Sequence, residues 1–560
     1  MAGERIIPQH IQNAKENASR IFKTANTVRK EAVSYFREPP FDRPNPPLTR
    51  DQRIKRESEM MDVTNLRSDG KSLHTVPSAG DHYDGWGFKW DEDAAVMINA
   101  RRNKPEQAAK ELRSIERYRD RKTGFLSNKF RLDGVQAGDR PYLEPERTLY
   151  NDRNYSSYMQ PPIKAVTVME TYNSFQRRGK FADAKNFLEE MYGTAEPENY
   201  TGLQGEAAYF LNHRQNSEND PLIFNTHPNE TGRDYDSALG PKRRIVPGRG
   251  KTIGLINTGI VWVQMNGIPG LREKSQVFKG FNQKLAELGK DPEGERRDWL
   301  PEKVRERYAV NDVMFNAMHA LNLDYTAQIA RELSKLTSDQ KKKTKYSLEA
   351  KTYEKEALRV KTEILRQSWH EEPIRQSQGL RQLLQRKDKQ ETFFYNIDKD
   401  GNQIPVKSIT GLFPLLLDNL PSDKAKLLLN RIEDPEWFAT PFPLPTHPKK
   451  SEHYDPHYRR KEGPDWQGPV WIIMNHFLVE EGLVKQAERF TQSNPNLSKR
   501  CMDAAERIVK KTEELLSINN AVWEQNDPET GKGQRVKDFM WPNLGNHFDK
   551  FYSAEKKFSK

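Results

Sequence analysis

Cysteine is almost absent from this chain. One residue, Cys501, in 560 excludes an intramolecular disulfide framework and any cysteine-based zinc or iron–sulfur site. Long hydrophobic runs are absent as well. No stretch approaches the ~18 apolar residues of a membrane span, so none is expected. The first thirty residues are charged and lack the apolar core of a secretory signal. Arg20, Lys23, Arg29 and Lys30 hint at an organellar presequence, but Glu4, Glu16 and Glu31 spoil the acid-poor pattern such a leader needs. A cytoplasmic location is the expectation. Hydrophobic residues make up only 35% of the chain, and the mean hydropathy is −0.95. Also lacking are a phosphate loop, a dinucleotide glycine fingerprint and a serine elbow. No cofactor and no metal are expected.

Charge of one sign is in modest excess: 91 Lys+Arg against 80 Asp+Glu give +11. The bases are interleaved with acids, as on solvated helix faces, so no nucleic-acid partner is expected. The densest run, Lys341-Lys342-Lys343-Thr344-Lys345, follows Asp339 and predicts an exposed helix. Aromatic residues reach 10%, enough large apolar area to argue against wholesale disorder.

Helical periodicity fills the chain. Ala165, Val168, Met169, Tyr172 and Phe175 recur at three and four residues, one face of a helix. Further helices are predicted over 14–36, 92–100, 105–115, 183–191, 203–211, 309–321, 326–336, 348–365, 412–417, 423–429, 469–481 and 497–518. Strand alternation is nearly absent; residues 252–263 and 392–404 are the best candidates for short hairpins. Sequential helix pairs without a short repeat suggest a solenoid or closed toroid rather than an open array. The Pro-rich stretch 38–78 reads as an extended connection. The expected division is an N-terminal extension, 1–75, and one helical body, 76–560.

Four loop motifs carry candidate chemistry. Gly85-Trp86-Gly87-Phe88-Lys89-Trp90-Asp91 sets two indoles and a carboxylate beside glycines, suited to a sugar face, or equally to a helix cap at Asp91 with core Trp. Around Glu230, Gly232, Arg233, Asp234 and Asp236, carboxylates and a cation crowd a non-helical loop, where pKa values can be driven apart. Alternatively, this is a polar turn. Tyr454-Asp455-Pro456 precedes Trp466-Gln467-Gly468-Pro469-Val470-Trp471, a turn at Gly468 running into a helix near Pro469 and Asn475. His453 and His457 are four apart, but Pro456 between them argues against a metal site. Last comes Trp523-Glu524, at an expected helix end, before the turn sequence Asp527-Pro528-Glu529-Thr530-Gly531. Aromatic faces and carboxylates on loops of a helical body suit carbohydrate.

The order and spacing of these motifs resemble the bacterial-type members of glycoside hydrolase family 63, nearest to the mannosylglycerate and glucosylglycerate hydrolases. The likeness runs over about residues 76–546. Trp90-Asp91 matches the family's early Trp-Asp pair, and Gln160-Pro161-Pro162 its Gln-Pro-Pro start of an inner helix. His227-Pro228-Asn229-Glu230-Thr231-Gly232-Arg233-Asp234 matches its acid loop. Gly411-Leu412-Phe413-Pro414, then Asp434 to Pro441, then Trp466 to Trp471 follow in family order. The resemblance implies an all-α (α/α)6 toroid with loop insertions and a few short β-hairpins. It implies an inverting α-glycoside hydrolase on a small or exo-terminal glycoside, with Asp234 as general acid and Glu524 as general base, ~6.5–9.5 Å apart. Trp86, Trp90, Asp91, Gln160, Glu230, Gly232, Tyr454, Trp466, Gln467, Gly468 and Trp471 would contact substrate. Burial and the neighbouring Glu230 and Asp236 would raise Asp234, and Arg233 would point away. Asn229, Tyr235-Asp236 and Gln467 depart from the family pattern, as does Gly124-Phe125-Leu126-Ser127-Asn128. A catalytically silent carbohydrate-binding or scaffold protein on the same fold is the alternative.

Overall fold

The computed structural model describes residues 46–61, 104–127, 159–225, 228–233, 236–239, 309–371, 391–456, 466–519 and 521–558, with backbone alone at 66–68, 73–75, 88–90, 129–131 and 228–229. The expected helices at 14–36 and 92–100 and the hairpin at 252–263 lie outside the described residues.

Within the stretch read as an extended connection stands helix α1 (Arg50–Glu59). Thr49 and Gln52 form its capping box: Gln52 N donates to Thr49 Oγ1 at 3.3 Å and Thr49 N to Gln52 Oε1 at 2.8 Å. Tertiary contacts then hold it. Arg53 donates to Ser517 Oγ (2.6 Å), Asn546 Oδ1 (3.2 Å) and Glu513 Oε1 (3.2 Å), and Asn546 donates to Glu57 at 2.9 Å. The first described helix is thereby fastened to the last part of the chain.

Strands β1 (Leu66–Ser68) and β2 (Leu73–Thr75) pair, as do β3 (Phe88–Trp90) and β4 (Lys129–Arg131). Between β3 and β4 in the chain lies α2 (Pro105–Glu116), which opens on proline at a position whose N–H would be unpaired anyway. Then come α3 (Lys164–Arg177), α4 (Phe181–Tyr192) and α5 (Gly202–His213), close to their expected bounds. A hairpin of β5 (Gln215–Ser217) and β6 (Asp220–Ile223) follows.

After β7 (Val310–Asn311) runs α6 (Val313–Leu336), a single helix where two were expected. Asn322 and Asp324 suggest a break by propensity, because such side chains compete for their own backbone. Here both are engaged elsewhere. Asn322 Oδ1 accepts from Ala165 N at 2.8 Å, and Asp324 pairs with Lys361 at 2.6 Å. Its hairpin partner α7 (Gln340–Gln367) is capped by Asp339, which accepts from Lys341 N at 2.8 Å; the basic run is exposed, as expected. The two differ in burial. α6 is buried nearly all round, whereas α7 buries only the stripe Ala350, Tyr353, Ala357, Val360, Lys361 and Ile364. That is the contrast of an inner with an outer helix.

The hairpin expected at 392–404 forms in its second half: Ile397 bridges Gln403 in the antiparallel sense, and Asp398 N donates to Asn402 O and Ile404 N to Asn396 O, both at 2.8 Å. β8 (Trp369–His370) pairs with β9 (Phe393–Phe394), and β10 (Ile397–Asp398) pairs with β7. Asn396 diverts the chain between them: its Oδ1 accepts from Val313 N at 2.8 Å and its Nδ2 donates to Ala238 O at 2.9 Å. Residues Ile409–Leu416 form a 3-10 helix containing Pro414 rather than an α-helix. α8 (Ser422–Glu433) follows. The helix expected from 469 starts later, at α9 (Ile472–Phe477), because Val470 bridges Pro445 and Asn526. It passes through a π-helical turn (Leu478–Leu483) into α10 (Val484–Phe490). α11 (Pro495–Ile518), the hairpin β11 (Trp523–Asn526) with β12 (Gly533–Lys537), and α12 (Asp549–Phe558) complete the chain. One large buried apolar cluster extends from Met60 to Ala554. Among the described residues, no helix is long and apolar enough to cross a membrane.

Candidate active site

Two regions hold the buried carboxylates among and beside the expected site residues. The first opens on a 3-10 turn, Pro228–Thr231, closed by Gly232 at φ 67°, a left-handed conformation that suits glycine. Glu230 is fully buried. It receives both arms of Arg214, at 3.0 and 3.3 Å, while Arg214 Nε donates to Tyr209 OH at 3.0 Å. Arg233, also fully buried, donates to Asp236 and to Asp312. Asp312 caps α6 through Phe315 N (2.8 Å) and accepts from Asn396 Nδ2 (2.8 Å).

Burial by itself would raise the Asp236 carboxyl. The Arg233 guanidinium and His447 outweigh it and hold Asp236 below the usual carboxylate range. The charges of Glu230 and Asp236, expected to push a neighbouring acid upward, are therefore each countered by a buried arginine. Arg233 is committed to Asp236 and Asp312. Asp234 and Tyr235 lie outside the described residues, as do Trp86 and Asp91, and of Trp90 only the backbone in β3 is described.

The second region is the β11–β12 hairpin. Glu524 stands on strand β11, not at a helix end, and is 3% exposed. The register shifts between Trp523 and Gln525, so β12 bulges at Arg535 and Val536, opposite Glu524. Arg535 on β12 sends Nη1 to within 2.8 Å of Glu524 Oε1. The expected turn closes the hairpin: Asp527 Oδ1 accepts from Glu529 N and Thr530 N, both at 2.9 Å, and Gly531 has φ 72°.

The Trp-rich segment lies against this hairpin. Val470 N donates to Asn526 O at 2.8 Å, and Asn526 N to Val470 O at 3.0 Å. Trp466 and Trp471 stack face to face, centroids 3.9 Å apart at 7°, and both are buried; Trp541 tilts against Trp471 at 5.8 Å. Gly468 has φ 132°, and a side chain there would meet the Pro456 backbone N at 2.9 Å. Its N–H donates to Thr446 Oγ1 at 2.7 Å, and Gln467 O accepts from Asp455 N. Tyr454 OH donates to Glu529 at 3.1 Å; burial and that carboxylate push the phenol well up. Gln160 is buried just ahead of α3.

A short relay joins the two regions. His447 Nε2 lies 3.2 Å from Asp236 Oδ1, the adjacent Thr446 holds Gly468, and Val470 pairs with the strand of Glu524. The structure thus gathers Tyr454, Trp466, Gln467, Gly468 and Trp471 around the Glu524 hairpin and links that group to the loop of Glu230 and Gly232. Sequence reasoning missed Arg214, Asp312, His447 and Arg535. Asp312 was legible as a cap one residue ahead of an apolar run; the other three carry no local signal. Among the described residues, no group of three or more His, Cys, Asp or Glu side chains is placed to hold a metal.

Residues 85–542 match the family described as mannosylglycerate hydrolase MGH1-like glycoside hydrolase domain. The crystal structure of a GH63 mannosylglycerate hydrolase from Thermus thermophilus, in complex with Tris and D-glycerate, is 19% identical. It superposes with TM-score 0.57 over 90% of this chain and 100% of that one. The same enzyme in complex with glucose gives 0.54 at 19% identity, over 90% and 99%. A probable mannosyl-oligosaccharide glucosidase of Schizosaccharomyces pombe is 32% identical over 155 residues, 27% of this chain; the match spans only 18% of that relative's length. The fold is the (α/α)6 toroid of GH63 structures. The chain belongs to the family of mannosylglycerate hydrolase MGH1-like glycoside hydrolases.

Proposed function

We propose that the protein is an inverting α-glycoside hydrolase acting on a small or exo-terminal glycoside, of the mannosylglycerate, glucosylglycerate or α-glucoside kind. Asp234 is the general acid and Glu524 the general base. In such a reaction the acid gives its proton to the glycosidic oxygen as the bond to the anomeric carbon breaks. The base takes a proton from a water attacking the opposite face, and the hydroxyl oxygen becomes the new anomeric substituent.

The observation that carries the reading is Glu524 itself. It is a buried carboxylate on a bulged hairpin, beside a cation and against a segment of stacked tryptophans. Ionisation suits a base, and the indole-rich wall suits a sugar. The relay through His447 and Thr446 supports a shared rim for two motifs that are distant in sequence. D-glycerate and glucose are bound in the T. thermophilus enzyme, which makes mannosylglycerate and glucosylglycerate the first substrates to try. The departures at Asn229, Tyr235 and Gln467 favour a changed sugar or aglycone, and in the extreme a silent binding protein.

The test is a glycoside panel with Asp234→Ala and Glu524→Ala. Each variant is expected to abolish hydrolysis of the accepted glycoside while that glycoside still protects the fold against heat. Unchanged turnover in either variant contradicts the assignment. Heat protection of the unaltered protein without turnover on any glycoside selects the silent binder.

A further inference from the structure

Arg535 occupies a backbone conformation that ordinarily belongs to glycine. Its φ is 64°, in the left-handed region, where a Cβ is disfavoured. It lies in the bulge of β12, opposite Glu524 on β11. Trp523 pairs with Lys537 and Gln525 with Gln534, so Glu524 alone faces both Arg535 and Val536. Bulges re-aim side chains, and strained residues of this sort persist at functional sites. Here the result is a 2.8 Å contact from Arg535 Nη1 to Glu524 Oε1, with the carboxylate side chain 3% exposed and the arginine side chain 19% exposed.

Charged groups at the turn of the hairpin are engaged there. Tyr454 donates to Glu529 at 3.1 Å, Lys449 pairs with Glu529 at 3.0 Å, and Asp527 closes the turn. Asp455 N donates to Gln467 O, and the next residue, Pro456, accepts from Gln534 Nε2 at 3.1 Å. Arg535 is the cation directed at Glu524 on its own hairpin.

We infer that Arg535 is a positioning residue for hydrolysis: it keeps the Glu524 carboxylate ionised and fixes its orientation for taking a proton from water. The inference rests on Glu524 being the base. A carboxylate buried without a counter-charge favours its protonated form, and a protonated base cannot accept the proton of water. Held by a guanidinium on Oε1, the group stays ionised and its plane is set.

The test compares Arg535→Met, Arg535→Lys and Arg535→Gly with the unaltered full chain, on α-mannosylglycerate and α-glucosylglycerate, across the acid and neutral pH range. Arg535→Met is expected to lower kcat about tenfold or more while KM changes less than about threefold. The acid limb of the rate profile, which reports the base, moves up by about one pH unit. Arg535→Lys restores part of both. Arg535→Gly fits the left-handed backbone, so its thermal midpoint equals or exceeds that of the unaltered chain, yet it loses turnover as Met does. A glycine variant as active as the unaltered chain, or an unmoved acid limb, overturns the inference. Full turnover in Glu524→Gln instead removes the base assignment beneath it, which separates the two failures. Should neither glycoside be cleaved, the Glu524 signal of δ-13C-glutamate-labelled protein, identified by its loss in Glu524→Gln, is titrated directly. Its midpoint is expected about one unit higher in Arg535→Met; an equal midpoint overturns the inference.

Discussion

At the loop that includes Glu230 and Asp236, two wholly buried arginines, Arg214 and Arg233, are matched to carboxylates to which the proposed reaction assigns no proton transfer. On the Glu524 hairpin a single arginine, partly exposed, touches the carboxylate proposed as base. The first arrangement builds a scaffold. Arg214 ties the loop to α5, and Arg233 ties it to the cap of α6, so the loop is held by charge where it lacks regular hydrogen bonding. The second arrangement leaves the hairpin to hold itself by its ladder and turn, and directs its cation at one functional group. The contrast implies that the acid-side arginines govern folding and the base-side arginine governs chemistry.

The largest expected effect falls on chemistry alone. Glu524→Gln is nearly isosteric and should cut kcat by about a thousandfold or more, with thermal unfolding close to that of the unaltered chain; calorimetry and initial rates on one preparation check both. Next comes the scaffold. Arg233→Met leaves Asp236 and Asp312 buried without their cation and should lower unfolding free energy by about 3–5 kcal/mol, measured by chemical denaturation. Equal stability in Arg233→Met and Arg535→Met would erase the contrast. His447→Ala removes one contact to Asp236 and leaves the backbone of the relay in place. A smaller loss is expected, about 1–3 kcal/mol, and a double variant with Thr446→Val should show coupling, since the two side chains hold the two ends of one short segment.

The smallest effect is a pH dependence. Asp236 has a folded pKa below its unfolded one. The stability it contributes is therefore present above the ordinary carboxylate range and is lost as pH falls through the folded value. Asp236→Asn should flatten that part of the acid limb of stability, checked by denaturation midpoints of the variant and the unaltered chain at a series of acid pH values.

Much of the scaffold was legible because its signals are local. Asp339 ahead of a basic run marked α7, Pro105 marked the start of α2, and Asp-Pro-Glu-Thr-Gly marked the turn after Glu524. The glycine and proline of the Trp-rich segment announced its turn. What escaped was set at a distance. Asp312 reaches Arg233 across 79 positions and His447 reaches Asp236 across 211; no spacing rule spans such gaps. Trp523-Glu524-Gln525-Asn526 has none of the β-branched alternation that betrays a strand, and it becomes one because Gly533–Lys537 and Val470 supply partners. Asn322 and Asp324 misled for the converse reason: their helix-breaking side chains were already engaged by Ala165 and Lys361.

One measurement bears most directly on the central claim, that Asp234 and Glu524 act on opposite faces of the sugar. An accepted α-glycoside is hydrolysed in the spectrometer and the first anomeric proton signal of the released sugar is read before mutarotation. The account predicts the β anomer first, the outcome of water activated by Glu524 on the face opposite the leaving group. The α anomer first would contradict it.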